Sequence, residues 1–280
     1  MDYEAKIRQF LVTLNQGLSK DDYGLVKNNL EINIKKINFA SKDDGETTIV
    51  SGSYSPNGII TIHNENDKVT FYHELLHASS SYYDESQLQL HSGFHHQHIN
   101  EKKDIGRGFN EGYTELLTQR FFGDYDSSGY SNELHYAKLI EHLIGKDEMQ
   151  SLYFRSNLND LIAEMCKYNS LENVLMFFEN LDKFIILEEL KEEKIKSNSG
   201  GLPDIEYLKW FEEFEAYIGQ TYDTLNSFVF ESFLNKLQGD PDYDKNKAEL
   251  ISVMSEPLTF NFKEYQFNVD TFMKESNRKV

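Results

Sequence analysis

The sequence predicts an α+β fold with a small antiparallel sheet near the N-terminus and a mostly helical remainder. Three observations support this prediction. Apolar and polar residues alternate only between residues 32 and 63, apolar residues recur at helical spacing on both sides of that segment, and the pattern from Asn132 onward is almost only helical. Strands grouped in one part of a chain, with helices elsewhere, are typical of the α+β class.

Two helical patterns precede the strands. Residues 2–19 have the apolar spacing of an amphipathic helix. A shorter second helix is predicted to begin at a cap provided by Asp21 or Asp22 and to end near Leu30. The strand pattern therefore begins only after a helical N-terminal segment.

The predicted sheet is centred on a hairpin. Residues 48–54 and 58–63 have strand composition, and the Ser-Pro-Asn-Gly sequence at 55–58 has turn chemistry. The second strand could offer an open edge to a bound peptide or could be purely structural. Asn66 or Asp67 then caps a helix that carries the most informative residues of the chain.

The rest of the chain is predicted to be mainly helical. A polar, histidine-rich stretch, 84–107, shows only weak periodicity, and a helix follows over about 109–122. We divide the chain into an N-terminal part, 1–130, which holds the sheet, and a helical C-terminal part, 131–280. The segment 197–203, which contains Gly, Ser and Pro, is the best candidate for a linker.

Composition excludes several classes of partner. The chain has 280 residues, with 47 acidic and 28 basic side chains, so its formal net charge is −19. Such a chain repels phosphate backbones, and we expect no nucleic-acid partner. We also expect no membrane partner and a cytoplasmic location, because no apolar run approaches the ~18–20 residues of a membrane helix and the N-terminus lacks a signal-peptide pattern. Oligomeric state stays open.

The strongest chemical signal is the sequence His73-Glu74-Leu75-Leu76-His77. A helix advances about 100° per residue, so the two histidines lie one turn apart on the same face, where one Zn²⁺ can reach both. Glu74 lies on the flank of that face, close enough to act on a water without binding the metal. The alternative is a surface helix that carries these residues by chance.

A second helical motif supplies a third ligand. A catalytic zinc takes three protein ligands and keeps one position open, and Glu111 can be the third. Glu115, one turn further on, can accept the spare ring N–H of a histidine ligand. Gly112 removes a side chain where two helices must approach closely. The alternatives are a solvated acidic pair, or pairing of Glu115 with Gln119 or Arg120.

Together, H-E-L-L-H at 73–77 and N-E-G-Y-T-E at 110–115 resemble the gluzincin metallopeptidases. That clan, which contains thermolysin-like and aminopeptidase-like enzymes, combines an H-E-x-x-H helix with a downstream N-E-x-x-[ST]-[DE] helix. The segment I-G-R-G-F-N-E-G-Y-T-E-L-L-T-Q-R is similar to a group of bacterial zincin-like proteins. The resemblance extends over about residues 48–125 and implies a zincin-like fold with one Zn²⁺.

The resemblance also implies individual roles. It assigns His73, His77 and Glu111 as zinc ligands, Glu74 as general base, and Glu115 as the partner of a ligand histidine. His77 and Glu111 are separated by 33 residues, more than in the thermolysin-like and aminopeptidase-like branches. We expect the extra length to cover the mouth of the cleft.

Two related activities are disfavoured. The G-A-M-E-N element, which anchors a substrate N-terminus in the aminopeptidase branch, is absent from the sequence. A deformylase would need a cysteine ligand before its H-E-x-x-H motif, and the single cysteine is Cys166. The expected activity is therefore hydrolysis of peptide bonds by another type of peptidase.

The remaining assignments leave alternatives open. Tyr130 and His135 are candidates to stabilise the oxyanion because they follow the Glu111 helix closely, although the chain has 17 tyrosines and 9 histidines. The histidines of 95–98 could bind a second metal or lie in a flexible polar loop. The first hypothesis for function is a zinc peptidase acting on a protein or peptide. The alternative is a catalytically silent zincin scaffold that serves as a protein-binding or regulatory module, against which the intact Glu74 argues.

Overall fold

The described parts of the chain alternate between short strands and helices before residue 106 and are mainly helical after it. The computed structural model describes residues 3–39, 52–55, 58–63, 67–98, 104–123, 130–197, 205–254, 258–260, 263–269 and 271–272. The helices in these residues are α1 Tyr3–Gly17, α2 Lys20–Asn33, α3 Lys68–Ser79, α4 Arg107–Phe122, α5 Ser131–Ile144, α6 Lys146–Phe154, α7 Leu158–Met165, α8 Leu171–Ser197, α9 Ile205–Lys236 and α10 Tyr243–Met254. The strands are β1 Lys36–Phe39, β2 Gly52–Ser55, β3 Ile59–Ile62, β4 Ser81–Asp84, β5 Gln89–Ser92, β6 His95–His98, β7 Asp104–Ile105, β8 Leu258–Phe260 and β9 Lys263–Tyr265. The predicted α+β class is confirmed.

The predicted hairpin is confirmed where the structure describes it, and residues 48–51 lie outside the described residues. Strands β2 and β3 pair antiparallel, with Tyr54 opposite Ile60. Strand β1 joins β3 in parallel, so this sheet has the order β1-β3-β2 and is mixed; the prediction of an antiparallel sheet was wrong here. Of the two alternatives for 59–63, the open edge was wrong, because β3 pairs with β1 on one side and with β2 on the other.

The histidine-rich stretch forms a second sheet that weak periodicity did not predict. Strands β4, β5, β6 and β7 follow one another in an antiparallel meander. Each strand has only two to four residues, too few for an alternation of polar and apolar side chains to stand out in the sequence. Residues 95–98, for which a flexible loop was one of two expectations, therefore lie in a β-meander.

Helix α3 is fixed at its first turn and along its length. The Asp67 side chain accepts the backbone N–H of Thr70 at 2.9 Å and its hydroxyl at 2.7 Å, which confirms Asp67 as the cap. Phe71, Leu75 and Leu76 are fully buried. Burying each of these side chains contributes on the order of 1.5–3 kcal/mol, so the helix is anchored mainly by its apolar side chains.

The C-terminal end of α3 is held by asparagines of α2. The Asn33 side chain donates to the carbonyl of Ala78 at 2.8 Å and to that of Ser81 at 2.5 Å, and Asn29 donates to the carbonyl of Ser79 at 2.9 Å. These bonds satisfy carbonyls that the end of a helix leaves unpaired. They reach α3 because α2 continues to Asn33, beyond the end predicted near Leu30.

The cap of α2 also differs from the prediction. The Ser19 hydroxyl accepts the backbone N–H of Asp22 at 3.1 Å, so Ser19 rather than Asp21 or Asp22 is the cap. Asp22 is buried and accepts the Ser19 hydroxyl proton at 2.7 Å. A serine followed three residues later by an acidic residue is a reciprocal capping arrangement that the sequence displays directly.

Cα packing divides the chain into two units, Met1–Leu161 and Ile162–Val280. Residues 131–161 group with the first unit because α5 packs against α4. The domain boundary predicted at residue 130 stays a prediction. The predicted linker 197–203 lies outside the described residues except for Ser197, the last residue of α8.

The second unit is built on two long antiparallel helices, α8 and α9. The ring centroids of Phe177 and Phe228 are 4.8 Å apart, and those of Phe184 and Tyr222 are also 4.8 Å apart. Such aromatic pairs bury large apolar areas along the seam.

No helix in the described part of the chain is both long and apolar enough to cross a bilayer.

Gly112 sets the distance between α4 and α5. A Cβ atom at this position would lie 2.3 Å from both the carbonyl carbon and the carbonyl oxygen of Glu133 on α5. No real Cβ makes such a contact, and backbone atoms cannot rotate away. The close approach predicted at Gly112 is therefore found, with α5 as the neighbouring helix.

Replacing Gly112 by alanine should force α4 and α5 apart. We expect the Gly112→Ala substitution to reduce the free energy of unfolding by about 1–3 kcal/mol, the usual cost of overpacking. Gly24 is the matched control: it is also inside a helix, and no atom lies within 4 Å of its added Cβ. Gly24→Ala should stabilise by about 0.5–1 kcal/mol through helix propensity. Urea unfolding of both variants tests this, and equal effects would contradict it.

Candidate metal centre

Three side chains from two helices converge on one point. On α3, Nε2 of His73 lies 3.0 Å from Nε2 of His77, and Oε2 of Glu111 on α4 lies 3.1 Å from the first nitrogen and 3.2 Å from the second. Within the described residues, no other set of three His, Cys, Asp or Glu side chains brings its ligand atoms within 4.8 Å of one another. The three ligands expected from the sequence therefore meet.

The spacing of these atoms fits a zinc ion. Zinc binds histidine nitrogen and carboxylate oxygen at about 2.0–2.2 Å in tetrahedral geometry, which places any two ligand atoms about 3.3 Å apart. The observed separations are 3.0–3.2 Å. Two histidine nitrogens and one carboxylate oxygen are also the protein donors of one class of catalytic zinc site.

His73 has a carboxylate on each side of its ring. Its Nε2 faces Glu111, and its Nδ1 lies 3.4 Å from Oε2 of Glu115. Burial disfavours the charged ring, but hydrogen bonds to these two carboxylates and the charges of Glu111 and Glu74 outweigh it and raise the pKa of His73 to about 10. Without a metal, His73 therefore carries a positive charge at the position where a cation would bind.

His77 is held through its other ring nitrogen by Asn110. The Asn110 carbonyl oxygen accepts the backbone N–H of Phe94 at 2.9 Å, and the amide nitrogen lies 3.2 Å from Nδ1 of His77. In this orientation the amide donates to Nδ1, so a neutral His77 ring has its own N–H on Nε2. If His77 held a metal at Nε2, its ring N–H would be on Nδ1, and the Asn110 amide would have to present its oxygen to the ring.

Glu111 is ionised at the centre of the cluster. Burial alone would raise the pKa of its carboxyl group, but the charge of His77 and the hydrogen bonds from His73 and His77 hold that pKa well below its ordinary value. The Glu111 side chain keeps 17% of its surface exposed, against 8% and 9% for the two histidines. Glu111 therefore lies on the side of the cluster nearest to solvent.

Glu74 is a buried carboxylate beside the ligands. Burial raises the pKa of Glu74, while the histidine charges and the backbone N–H of Tyr54 lower it and the charge of Glu111 raises it further. The net shift is upward. A carboxyl group whose pKa lies above its usual value is suited to accept a proton and then return it near neutral pH. Tyr54 is on β2, so the edge of the first sheet reaches the cluster.

The two oxyanion candidates differ in their surroundings. The ring of Tyr130 lies 5.8 Å from that of His73, with an interplanar angle of 14°. The charge of Glu111, followed by burial and the charge of Glu74, raises the pKa of Tyr130, so its hydroxyl keeps its proton. For His135, burial and then the charge of Lys138 lower the pKa to about 4. Tyr130 is thus in electrostatic contact with the cluster carboxylates, whereas the charge that shifts His135 belongs to Lys138.

The structure shows which side chains pair with Glu115 and with Arg120. Glu115 faces His73 and also accepts a hydrogen bond from Gln119 at 3.2 Å. Arg120 instead binds both oxygens of Glu141 on α5, at 2.5 and 2.9 Å. No role for Asn110 was predicted from the sequence, although the asparagine of the N-E-x-x-[ST]-[DE] motif marks that position directly before the ligand.

No protein-family model, curated protein or solved structure matches this chain. Function must therefore be inferred from the residues and their geometry.

Metal binding should release a proton from His73. Because the pKa of His73 is about 10 in the metal-free protein, the ring is protonated at pH 7 and must lose that proton when Zn²⁺ binds. We expect about one proton released per ion. The proton competes with the metal below pH 10, so the apparent affinity should fall by about tenfold for each unit of decreasing pH.

Isothermal titration calorimetry with Zn²⁺ measures both quantities. Titrations at pH 7 in buffers of different ionisation enthalpy give the number of protons released, and a series between pH 6 and pH 8 gives the pH dependence. Equal affinity at both ends of that series would contradict the arrangement of His73 between Glu111 and Glu115.

Proposed function

We propose that this chain is a zinc-dependent hydrolase that cleaves peptide bonds in a protein or peptide substrate and belongs to the gluzincin type. One observation carries the proposal: Nε2 of His73, Nε2 of His77 and Oε2 of Glu111 lie 3.0–3.2 Å from one another. Glu74, the residue next to a ligand, has its carboxyl group buried beside them. A purely structural zinc does not need such a carboxylate.

His73, His77 and Glu111 would hold the metal. When bound, Zn²⁺ lowers the pKa of a water molecule and polarises a carbonyl group. The protein then has to orient the ligands, and Glu115 and Asn110 act on the two ring nitrogens that face away from the metal. A carboxylate such as that of Glu115, which accepts a ring N–H, holds the ligand ring in a single orientation and raises its basicity.

Glu74 would act as the general base. It follows His73 on the same helix, so its carboxylate lies beside the ligand atoms and not among them. Burial raises the pKa of Glu74, which makes its carboxylate a better acceptor for a proton from water that it later delivers to the leaving amine. The Tyr54 backbone N–H donates a hydrogen bond that holds the carboxylate in place.

Tyr130 would stabilise negative charge on the carbonyl oxygen of the substrate. Its ring stacks against His73, and its hydroxyl is protonated because Glu111 and Glu74 disfavour a phenolate. A protonated hydroxyl fixed near the reacting carbonyl can donate a hydrogen bond that strengthens as the oxyanion forms. This role favours Tyr130 over His135.

Glu74→Gln should abolish hydrolysis without loss of metal. The amide cannot accept a proton from water, so we expect kcat/KM to fall by at least about 10³-fold, toward the upper range for general acid–base catalysis. Elemental analysis should still find about one Zn per chain. The substrate is a proteome-derived peptide library, and cleavage is measured by mass spectrometry of new termini.

Glu85→Gln is the matched control, since Glu85 is exposed in the β4–β5 turn and away from the cluster. Its activity should equal that of the wild type. Undiminished cleavage by Glu74→Gln would refute the general-base role. A zinc-loaded wild type that cleaves no member of the library would instead favour a silent scaffold.

Tyr130→Phe should separate the tyrosine hydroxyl from its ring. The phenylalanine ring can still stack on His73, so zinc content should not change, whereas loss of the oxyanion donor should lower kcat by about 10²–10³-fold. The comparison is His135→Asn, for which we expect a decrease of less than about tenfold. Steady-state kinetics on one cleaved peptide distinguishes the two, and a reversed order would identify His135 as the donor.

A further inference from the structure

The second sheet carries a row of three rings on one face. His91 on β5 lies opposite Tyr82 on β4 and opposite His96 on β6. The Tyr82 and His91 rings are stacked, with centroids 4.5 Å apart and an interplanar angle of 2°, and the His91 and His96 rings meet edge to face at 4.1 Å. Two imidazoles therefore lie side by side on neighbouring strands.

His91 is an unusual buried histidine. Only 6% of its surface is exposed, and neither ring nitrogen has a hydrogen-bond partner in the described part of the chain. Buried polar groups in proteins are almost always paired. Burial lowers the pKa of His91, the charge of Asp84 opposes that shift, and the neutral ring keeps a lone pair on one nitrogen. No hydrogen bond in the described part of the chain uses this lone pair.

His96, the cross-strand neighbour of His91, has a second lone pair. Its Nε2 donates to the backbone carbonyl of Ser156 at 3.1 Å, so Nδ1 of the neutral ring is the unprotonated nitrogen. Neighbouring imidazoles with neutral rings are good ligands for divalent transition metals. The cross-strand arrangement brings them together without help from a loop.

We propose that His91 and His96 form a second binding site for a divalent transition-metal ion, distinct from the His73–His77–Glu111 cluster. With two protein ligands, the site would complete its coordination with water and would bind more weakly than the first. Asp84, whose charge acts on His91, adds electrostatic attraction for a cation. By the order of affinities for nitrogen ligands, Cu²⁺ is the most sensitive probe.

Strand alternation separates this pair from the neighbouring histidine. His95 and His96 point to opposite faces of β6, and His95 is paired with Asp104 on β7. His95 lies in the same strand as His96 but outside the proposed site, so it is a matched control. The proposal does not depend on the peptidase activity.

Copper titration of the metal-free protein tests the site. With glycine present to compete for weak surface binding, we expect two Cu²⁺ ions per wild-type chain by equilibrium dialysis. His96→Phe should lose one ion or bind it at least tenfold more weakly, and His95→Phe should keep both. The His77→Phe variant, impaired at the first cluster, should retain one ion whose electron paramagnetic resonance spectrum shows coupling to imidazole nitrogens.

His91→Phe gives a second test, checked for folding by circular dichroism because the residue is buried. If that variant does not fold, His96→Phe, which is less buried, decides alone. Unchanged copper stoichiometry and affinity in His96→Phe would overturn the proposal. So would a His77→Phe protein whose copper spectrum lacks imidazole coupling. If the first cluster bound no metal, the wild type would hold one ion instead of two, but the difference between His96→Phe and His95→Phe would be the same.

Discussion

The first unit depends on burying two imidazoles and a carboxylate at a single point between α3 and α4. Moving charged groups out of water is costly unless they are paired, and the cost falls when opposite charges meet at short distance. In the metal-free protein a proton on His73 balances the charge of Glu111. A divalent cation would balance the same carboxylate and contact both histidine rings, so the cluster could hold a metal in place of that proton.

The neighbouring helices hold the residues of this cluster in place. Asn33 and Asn29 of α2 hold the end of α3 that follows His77. Gly112, next to Glu111, lets α5 approach α4 closely enough to bring Tyr130 onto His73. The asparagines hold the backbone that directly follows His77, and Tyr130 contacts the ring of His73, so the neighbouring helices position the cluster.

The second sheet connects to the same cluster through a single amide. Asn110 binds the backbone of Phe94 in the β5–β6 turn and Nδ1 of His77. The turn comes close because Gly93 has no side chain: a Cβ there would lie 2.2 Å from Oδ1 of Asn110. The histidine-rich meander and the candidate metal centre are therefore parts of one hydrogen-bonded structure, although the histidines at 91 and 96 are not ligands of that centre.

The sequence by itself determined the features that depend on local spacing. Helical periodicity places His73 and His77 on one face, preferred capping residues place the start of α3 at Asn66 or Asp67, and the turn at 55–58 separates two strands. The class of the fold follows from the same patterns. Motif spacing also identified Glu111 as the partner of two residues that are far from it along the chain.

Tertiary structure alone decided which distant groups meet. The parallel pairing of β1 with β3, the choice of Glu141 as the partner of Arg120, and the position of Tyr130 over His73 depend on packing between elements that have no fixed offset in sequence. Short strands in the segment 84–107 carry too few residues to show a period of two. Their order, and the split of the histidines between opposite faces of β6, arise only when the strands pair.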